Sequence, residues 1–382
     1  MQIYFLDPQQ ERRRVEEVWR SLLADGDYDY FLSWPWVETW LDVAAERRLN
    51  VQLAVFSDRG EDVAACFLGR RRRVRRRLIR SRTLFLNATG DRALDNLYVE
   101  YNAILTRRRF ACSLDQLVRE LPGGWDELVM PGLDPRRFPG SVLATEPGSR
   151  LAVNDKRQPA YLVDLESVRR RDGDYLSMLG KSTRSQVRRS LRLYRERGEV
   201  RLEAPETTAQ ALEMFTEMLE MHRAAWAQRG RQSNFDTPCV TGFHYRLIER
   251  RFEAGDIQLL RLRVGDETVG CLYNLVQGGQ VYCYQSGFRF ETDNRLKPGL
   301  VCHVEAVLRN ARAGASYYNF LAGEDRYKAN LATDCHWLHW VTVQQPRVLL
   351  AFERWLRVAR NQTDQQELGT APVSRVSARR HA

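Results

Sequence analysis

The strongest constraint on the fold lies in the second half of the chain, where the hydrophobic period changes in a fixed order. "VRLEAP" alternates as a strand. A long helix follows from about Thr208 to Gln228, with Leu212, Phe215, Leu219, His222 and Trp226 on one face, and then a second helix, "TGFHYRLIERRFEAG". Three strands come next, "IQLLRLRVG", "TVGCLYNLVQ" and "QVYCYQSGFRF", and their short "GDE" and "GG" connections read as hairpin turns. The loop "ETDNRLKPG" opens another helix, "LVCHVEAVLRNARAG". A strand "SYYNFLAG", a short helix "EDRYKANLA", a strand "HWLHWVTVQ" and a helix "RVLLAFERWLRVAR" complete the series. The order β-α-α-β-β-β-α-β-α-β calls for helices laid on one mixed sheet.

The first half alternates in the same manner. A strand, "MQIYFLD", precedes a helix over roughly Gln9 to Leu23, with Val15, Val18, Trp19 and Leu22 at helical spacing. In "FLSWPWVETWLDVAAERRL", Ser33 and Pro35 signal a second helix start, and Trp36, Trp40 and Val43 form its stripe. "VQLAVFS", "VAACFLGRRRRVRRRLI", "LYVEYNAILT", "WDELVMPGL" and "AYLVDL" read as strands, and "FACSLDQLVREL" as a helix. We therefore expect α/β domains over residues 1–165 and 166–360, followed by a polar, disordered tail over 361–382. A basic helix sits between the halves. Thr183 and Gln186 suggest its capping box, Val187, Leu191 and Tyr194 its apolar seam, and Gly198 its stop. It is either a solvated face over that seam or an anion-binding helix beside a site.

Charge is concentrated. The 382 residues carry a net charge of +10, and nine of the thirteen residues from Arg70 to Arg82 are arginine, so the rest of the chain sums to +1. Seven arginines in eight residues must largely face water. The run continues a strand into "TLFLNATG", which makes it the tip and flanks of a hairpin. It is a solvated basic edge or a contact for a polyanion: tRNA, an acidic polysaccharide, lipid-linked phosphate or an anionic membrane surface. With 43% hydrophobic residues the chain can build a core, yet no run approaches the ~20 apolar residues of a membrane span. The start resembles no secretory signal, and the seven cysteines lack any CxxC spacing, so reduced thiols in a cytoplasmic protein are expected.

The chemistry is bounded by what is missing. The sequence contains no HExxH, GxxxxGK[ST], GxGxxG or GxSxG. Cys335, His336 and His339 cluster in sequence, but on a strand the two histidines face opposite ways, and Cys302 and His303 diverge on a helix, so no metal site is expected. No covalent nucleophile stands out, which fits direct transfer between two bound substrates.

Four stretches in order, "YLSMLGKSTRSQVRRSLR", "MLEMHRAAWAQRGRQSNF", "YQSGFRFETDNRLKPGLVCHVEAV" and "YYNFLAGEDRYKANLA", span residues 175–332. With them the sequence resembles the CelD/BcsL-type acetyltransferases linked to exopolysaccharide and cellulose operons, relatives of the Fem aminoacyl transferases. The resemblance implies a tandem GNAT-like acyltransferase fold whose second half is better preserved. It implies N-acyl transfer from acetyl-CoA or another acyl-CoA, without a metal, to an amine such as an amino sugar or polysaccharide precursor. Two alternatives stand beside it: a Fem-type aminoacyl transferase using charged tRNA, and a non-enzymatic polyanion-binding protein.

The resemblance also implies site residues. The donor's pyrophosphate would sit where a loop opens a helix, at Arg295, Leu296, Lys297, Gly299 and Leu300, on free N–H groups and the positive end of the helix. The usual loop there is richer in glycine, and Pro298 removes one donor. The strand carrying Tyr284 would polarise the thioester. Tyr327 would protonate the departing thiolate, and Glu324, Asp325 or His222 would accept the amine proton. Trp226, Arg229, Phe235 and Lys328 would contact the acceptor.

Overall fold

The protein is described here from a computed structural model, covering residues 2–26, 28–75, 79–110, 118–137 and 151–351. The first half supplies β1 (Gln2–Leu6), β2 (Val51–Asp58), β3 (Glu61–Arg75), β4 (Ile79–Leu86), β5 (Leu105–Thr106) and β6 (Glu127–Leu133). After β7 (Ala152–Asp164), the second half supplies β8 (Val200–Glu203), β9 (Ile257–Val264), β10 (Glu267–Gln277), β11 (Gln280–Phe288), β12 (Tyr317–Ala322) and β13 (Asp334–Gln344). These join in one sheet, ordered β1-β2-β3-β4-β6-β13-β7-β12-β11-β10-β9-β8, with β5 on β3.

Read inward from either end, the sheet repeats one pattern. Four antiparallel strands lead to a parallel pair, β4 with β6 or β11 with β12, and then to an antiparallel partner. This is a tandem GNAT-like architecture, with one difference from two closed units: the halves exchange their last strands. β7 follows β6 in the chain but pairs with β12, and β13 follows β12 but pairs with β6. β7 and β13 then pair with each other along all eleven residues of β13.

The helices are α1 (Arg12–Leu23), α2 (Trp34–Glu46), α3 (Leu165–Arg169), α4 (Tyr175–Met178), α5 (Lys181–Arg197), α6 (Thr208–Gln228), α7 (Pro238–Arg251), α8 (Pro298–Arg312) and α9 (Arg326–Leu331). Buried residues of α1, α2, α6 and α7 form one core that spans both halves. Trp36 packs on Phe243 with ring centroids 4.8 Å apart, and Arg250 and Arg246 reach Asp42 and Glu46 at 2.7 Å each. Separate cores lie under α3, α4, α5 and α8 in the second half and around Leu84, Leu121 and Trp125 in the first.

Several local expectations hold and others shift. α6 has the bounds read from its period, and Ser33 caps α2 by accepting from the Trp36 N–H at 3.5 Å. α5 instead begins at Lys181 behind Gly180, so Thr183 lies inside the helix; Gln186 donates to Ser182 Oγ at 3.1 Å and caps nothing. "LYVEYNAILT" is irregular apart from Leu105–Thr106. The helix expected over 110–121 falls largely outside the described residues, as do most of the last helix and the tail. Among the described residues no helix is long and apolar enough to cross a membrane. The described parts of the arginine run lie on two paired antiparallel strands, with Arg72 opposite Arg82 and Arg75 opposite Ile79, and its expected tip falls outside the described residues.

Candidate active site

β11 and β12 pair for three residues only, 280–282 against 317–319, and then part. β12 bends away through a bulge between Asn319 and Ala322 where Leu321 adopts φ +62°, a conformation that side-chain-bearing residues seldom take. Side chains hold it there. The Leu321 N–H donates to Asn319 Oδ1 at 2.8 Å, and the Ala322 N–H donates to Glu100 Oε2 at 2.7 Å. Beyond residue 282, β11 has one main-chain edge with no strand partner among the described residues. Gly287 lets α6 lie against this strand, since a Cβ there would sit 2.3 Å from the Met218 carbonyl oxygen.

A cleft of about 370 Å³ fills the gap. One wall is β11 from Cys283 to Ser286, and the other is the β12 bulge. α6 contributes Trp226, and α9 with its N-cap contributes Asp325, Tyr327 and Lys328. Tyr98 and Glu100 enter from the first half, while Gln158 and Trp340 come from the exchanged strands.

The first half's own split, between β4 and β6 past Phe85 and Val129, is closed by the chain itself. The Asn102 N–H donates to Gly132 O at 2.8 Å, and its side-chain Nδ2 donates to both walls, to Leu86 O at 3.1 Å and Pro131 O at 2.9 Å. Asn102 Oδ1 accepts from Asn87 Nδ2 at 2.7 Å. Gly132, at φ +61°, must be glycine, because a Cβ would stand 2.4 Å from Val99 O. The segment that plugs the first split therefore delivers Glu100 to the second. Tyr101 fastens it there by accepting from Asn319 Nδ2 at 2.6 Å.

Electrostatics distinguish the groups lining the cleft. Glu100 is 8% exposed, and burial pushes its carboxyl above the ordinary range, opposed by the Ala322 N–H and the Lys328 charge. Lys328 is also buried; it donates to Ala322 O at 2.6 Å and lies 3.9 Å from Asp325. The Tyr327 ring stacks on His303, centroids 5.2 Å apart and planes 9° from parallel. Burial raises the Tyr327 phenol and lowers His303 to about 3, so the phenol keeps its proton and the imidazole stays neutral. Burial likewise lifts the Cys283 thiol to about 11, which leaves it a poor nucleophile.

Of the residues singled out from sequence, Tyr327, Asp325, Lys328, Trp226 and Tyr284 line the cleft. The Tyr284 hydroxyl is already donated to Leu97 O at 2.7 Å. Glu324 and Arg229 are exposed outside it, and Phe235 is buried in the core beneath His222 and Phe215. His222 does not open onto the cleft. Its Nδ1 lies 2.9 Å from Ser286 O, which as a carbonyl can only accept, so Nδ1 carries the proton and His222 steadies β11. Its Nε2 is buried without a partner among the described residues, and burial lowers its pKa.

The loop expected to hold the donor's phosphates is partly satisfied from within. The Arg295 guanidinium grips Asp293 through three bonds, two of 3.0 Å and one of 2.8 Å, the Lys297 N–H donates to Ser190 Oγ at 2.9 Å, and Leu296 is packed in the core. Gly299 and Leu300, the first residues of α8 with N–H groups, lack intrahelical partners. Gly299 abuts the Phe288 ring at the end of β11. Sequence reasoning missed Glu100, Tyr98, Gln158 and Trp340. A lone acid inside the otherwise uncharged run "YVEYNAIL" was the available signal for the first.

Residues 181–329, which contain β11, β12 and most of α9, match the family model of the acetyltransferase (GNAT) domain. The fold is similar to the crystal structure of FemX at 11% identity and a TM-score of 0.56, covering 92% of this chain and 99% of that one. It is also similar to L-PGS from Bacillus licheniformis, at 10% identity and a TM-score of 0.47 over 90% of this chain and 95% of that one. A third likeness is to a conserved protein of unknown function from Bacteroides thetaiotaomicron VPI-5482, at 12% identity and 0.46 over 86% and 96%. No curated protein matches the sequence significantly. The FemX likeness, running the length of both chains, shows the tandem fold. The domain match makes this chain an acyltransferase, and the cleft lies mainly within the matched domain.

Proposed function

We propose that the chain is an N-acyltransferase of the CelD/BcsL type, moving an acetyl or longer acyl group from acyl-CoA to a small amine such as an amino sugar or polysaccharide precursor. The observation that carries this reading is the open β11–β12 split with an unpaired strand edge, when the matching split of the first half is plugged. An unpaired edge offers main-chain N–H groups to a thioester carbonyl. Gly299 and Leu300 would hold the donor's phosphates at the far end of β11.

The amine attacks the carbonyl carbon directly. Its proton passes to Glu100, directly or through one water, and the C–S bond breaks as the thiolate takes the Tyr327 proton. The six cysteines among the described residues are unpaired, in keeping with a cytoplasmic setting. Tyr327→Phe lowers kcat by roughly tenfold and leaves acyl-CoA affinity unchanged, because a thiolate of pKa ~8.5 needs only modest help to leave. Unchanged kcat in steady-state assays removes the phenol from the reaction.

One observation favours a second donor. Two of the loop's strongest anion ligands, the Arg295 guanidinium and the Lys297 N–H, are held by Asp293 and Ser190. An aminoacyl group carried on tRNA would need less of a pyrophosphate cradle. Thermal unfolding separates the two: acetyl-CoA at 100 times its Kd adds ~2.7 kcal/mol of stability if it is the donor. No shift with any acyl-CoA, together with salt-sensitive tRNA binding, selects the aminoacyl reading.

A further inference from the structure

The arginine hairpin lies outside the cleft, and its geometry contains a second site. Arg70 and Arg72 of β3 and Arg82 and Leu84 of β4 project from one face of the ribbon, because Arg70 pairs with Leu84 and Arg72 with Arg82. Over that face lies a pocket of about 370 Å³, floored by Leu84, Leu121 and Trp125 and walled by the guanidinium groups.

Like charges directly opposite one another destabilise a strand pair, yet Arg72 faces Arg82. The two neighbouring carboxylates are already engaged. Asp126 is held by Arg347 at 2.8 Å and by the Arg82 main-chain N–H at 2.7 Å, and reaches the Arg82 guanidinium only at 3.5 Å, while Asp91 is shared by Arg47 and Arg71 at 3.0 and 2.9 Å. Arg72 has no carboxylate partner among the described residues, and Arg70 has only the Phe5 ring, 5.4 Å away. We propose that this pocket binds a phosphate mono- or diester, its anionic group between Arg72 and Arg82 and its uncharged part on the Leu84–Trp125 floor.

Guanidinium pairs suit this ligand, since each presents a fork of donors to phosphate oxygens. Nucleic acid fits less well: Trp125 is the one aromatic among the described residues lining the pocket, and the 6% of it that is exposed can close the floor but is too little to take a stacked base. The site is separate from the acyl-transfer cleft: β4 stands four strand spacings from β12, about 19 Å of sheet at ~4.8 Å each. The same chemistry is available from a soluble phosphorylated compound and from the headgroup of an anionic lipid. Val74, 61% exposed near the hairpin tip, is compatible with both.

The test uses the full chain with inorganic pyrophosphate, with phosphatidylglycerol vesicles and with neutral phosphatidylcholine vesicles, compared with Arg72→Gln, Arg82→Gln and the double variant. Each substitution weakens binding by about tenfold, the effect of one lost charged hydrogen bond. The unliganded double variant melts no lower than the wild type, because a repulsion has been removed, and its acyl transfer is unchanged. In the wild type, pyrophosphate shields Arg72 from phenylglyoxal, a readout that needs no variant to fold. Variant-sensitive binding of pyrophosphate alone identifies a soluble ligand, and variant-sensitive binding of phosphatidylglycerol vesicles identifies a lipid headgroup; both support the site. Binding of neither, or binding that survives the double substitution, overturns it.

Discussion

Glu100→Gln lowers kcat by about two to four orders of magnitude, the usual worth of a positioned general base, and raises the melting temperature at neutral pH. The two effects have one cause. Burial holds the native carboxyl's pKa above its unfolded value, so the native state binds its proton more tightly than the unfolded chain does. That contribution to stability is complete below the unfolded pKa and is lost as pH rises through the folded one. At neutral pH the buried carboxylate therefore costs stability, and a neutral amide of the same shape does not. The amide oxygen can still accept the Ala322 N–H, so the cleft wall stays in place. In the wild type, kcat falls as pH drops through the raised Glu100 pKa, and the variant lacks this limb. Stopped assays across pH, paired with melting curves, read both quantities. A Gln variant that is both active and unshifted in melting would remove Glu100 from the mechanism.

Asn102→Leu destabilises the protein by about 4 kcal/mol, measured as a shift of the urea midpoint. The leucine fills the space but leaves the Leu86 and Pro131 carbonyls without their donor and Asn87 without one acceptor, at about 1–3 kcal/mol for each buried group. The plug also positions Glu100 two residues away, so the survivors at low temperature show a raised KM for the amine as well as a reduced kcat. A loss below about 1 kcal/mol would mean that the amide is not what closes the first split.

Much of the second half could be read directly because its hydrophobic period switches cleanly at each boundary. α6, the three-strand meander and the α8–β12–α9 series are local patterns, and local patterns are what a sequence displays. Tyr327, Asp325, Lys328 and Trp226, which line the cleft, came instead from the family resemblance of those stretches. Local reading failed where position depends on distant partners. Nothing near Glu100 in sequence shows that its segment crosses from one split to the next, and its alternating neighbours imitate a strand. His222 sits on the expected helical stripe, but the direction of its ring is set by a carbonyl on β11. The loop that opens α8 could be read from the sequence as a helix start, whereas the capture of Lys297 by Ser190 depends on α5 packing beside it.

The exchanged strands also bear on how the molecule is made. A ribosome releases β6 and β7 long before β13, which occupies the place between them in the finished sheet. Until Asp334–Gln344 has left the exit tunnel, both of those strands present bare edges along the middle of the nascent protein. Vectorial synthesis thus cannot complete the first half before the second, as it does for ordinary tandem domains. A chain cut short of β13 keeps those edges open and becomes a client for chaperones or proteases, because the last strand to be translated is the one that locks the centre.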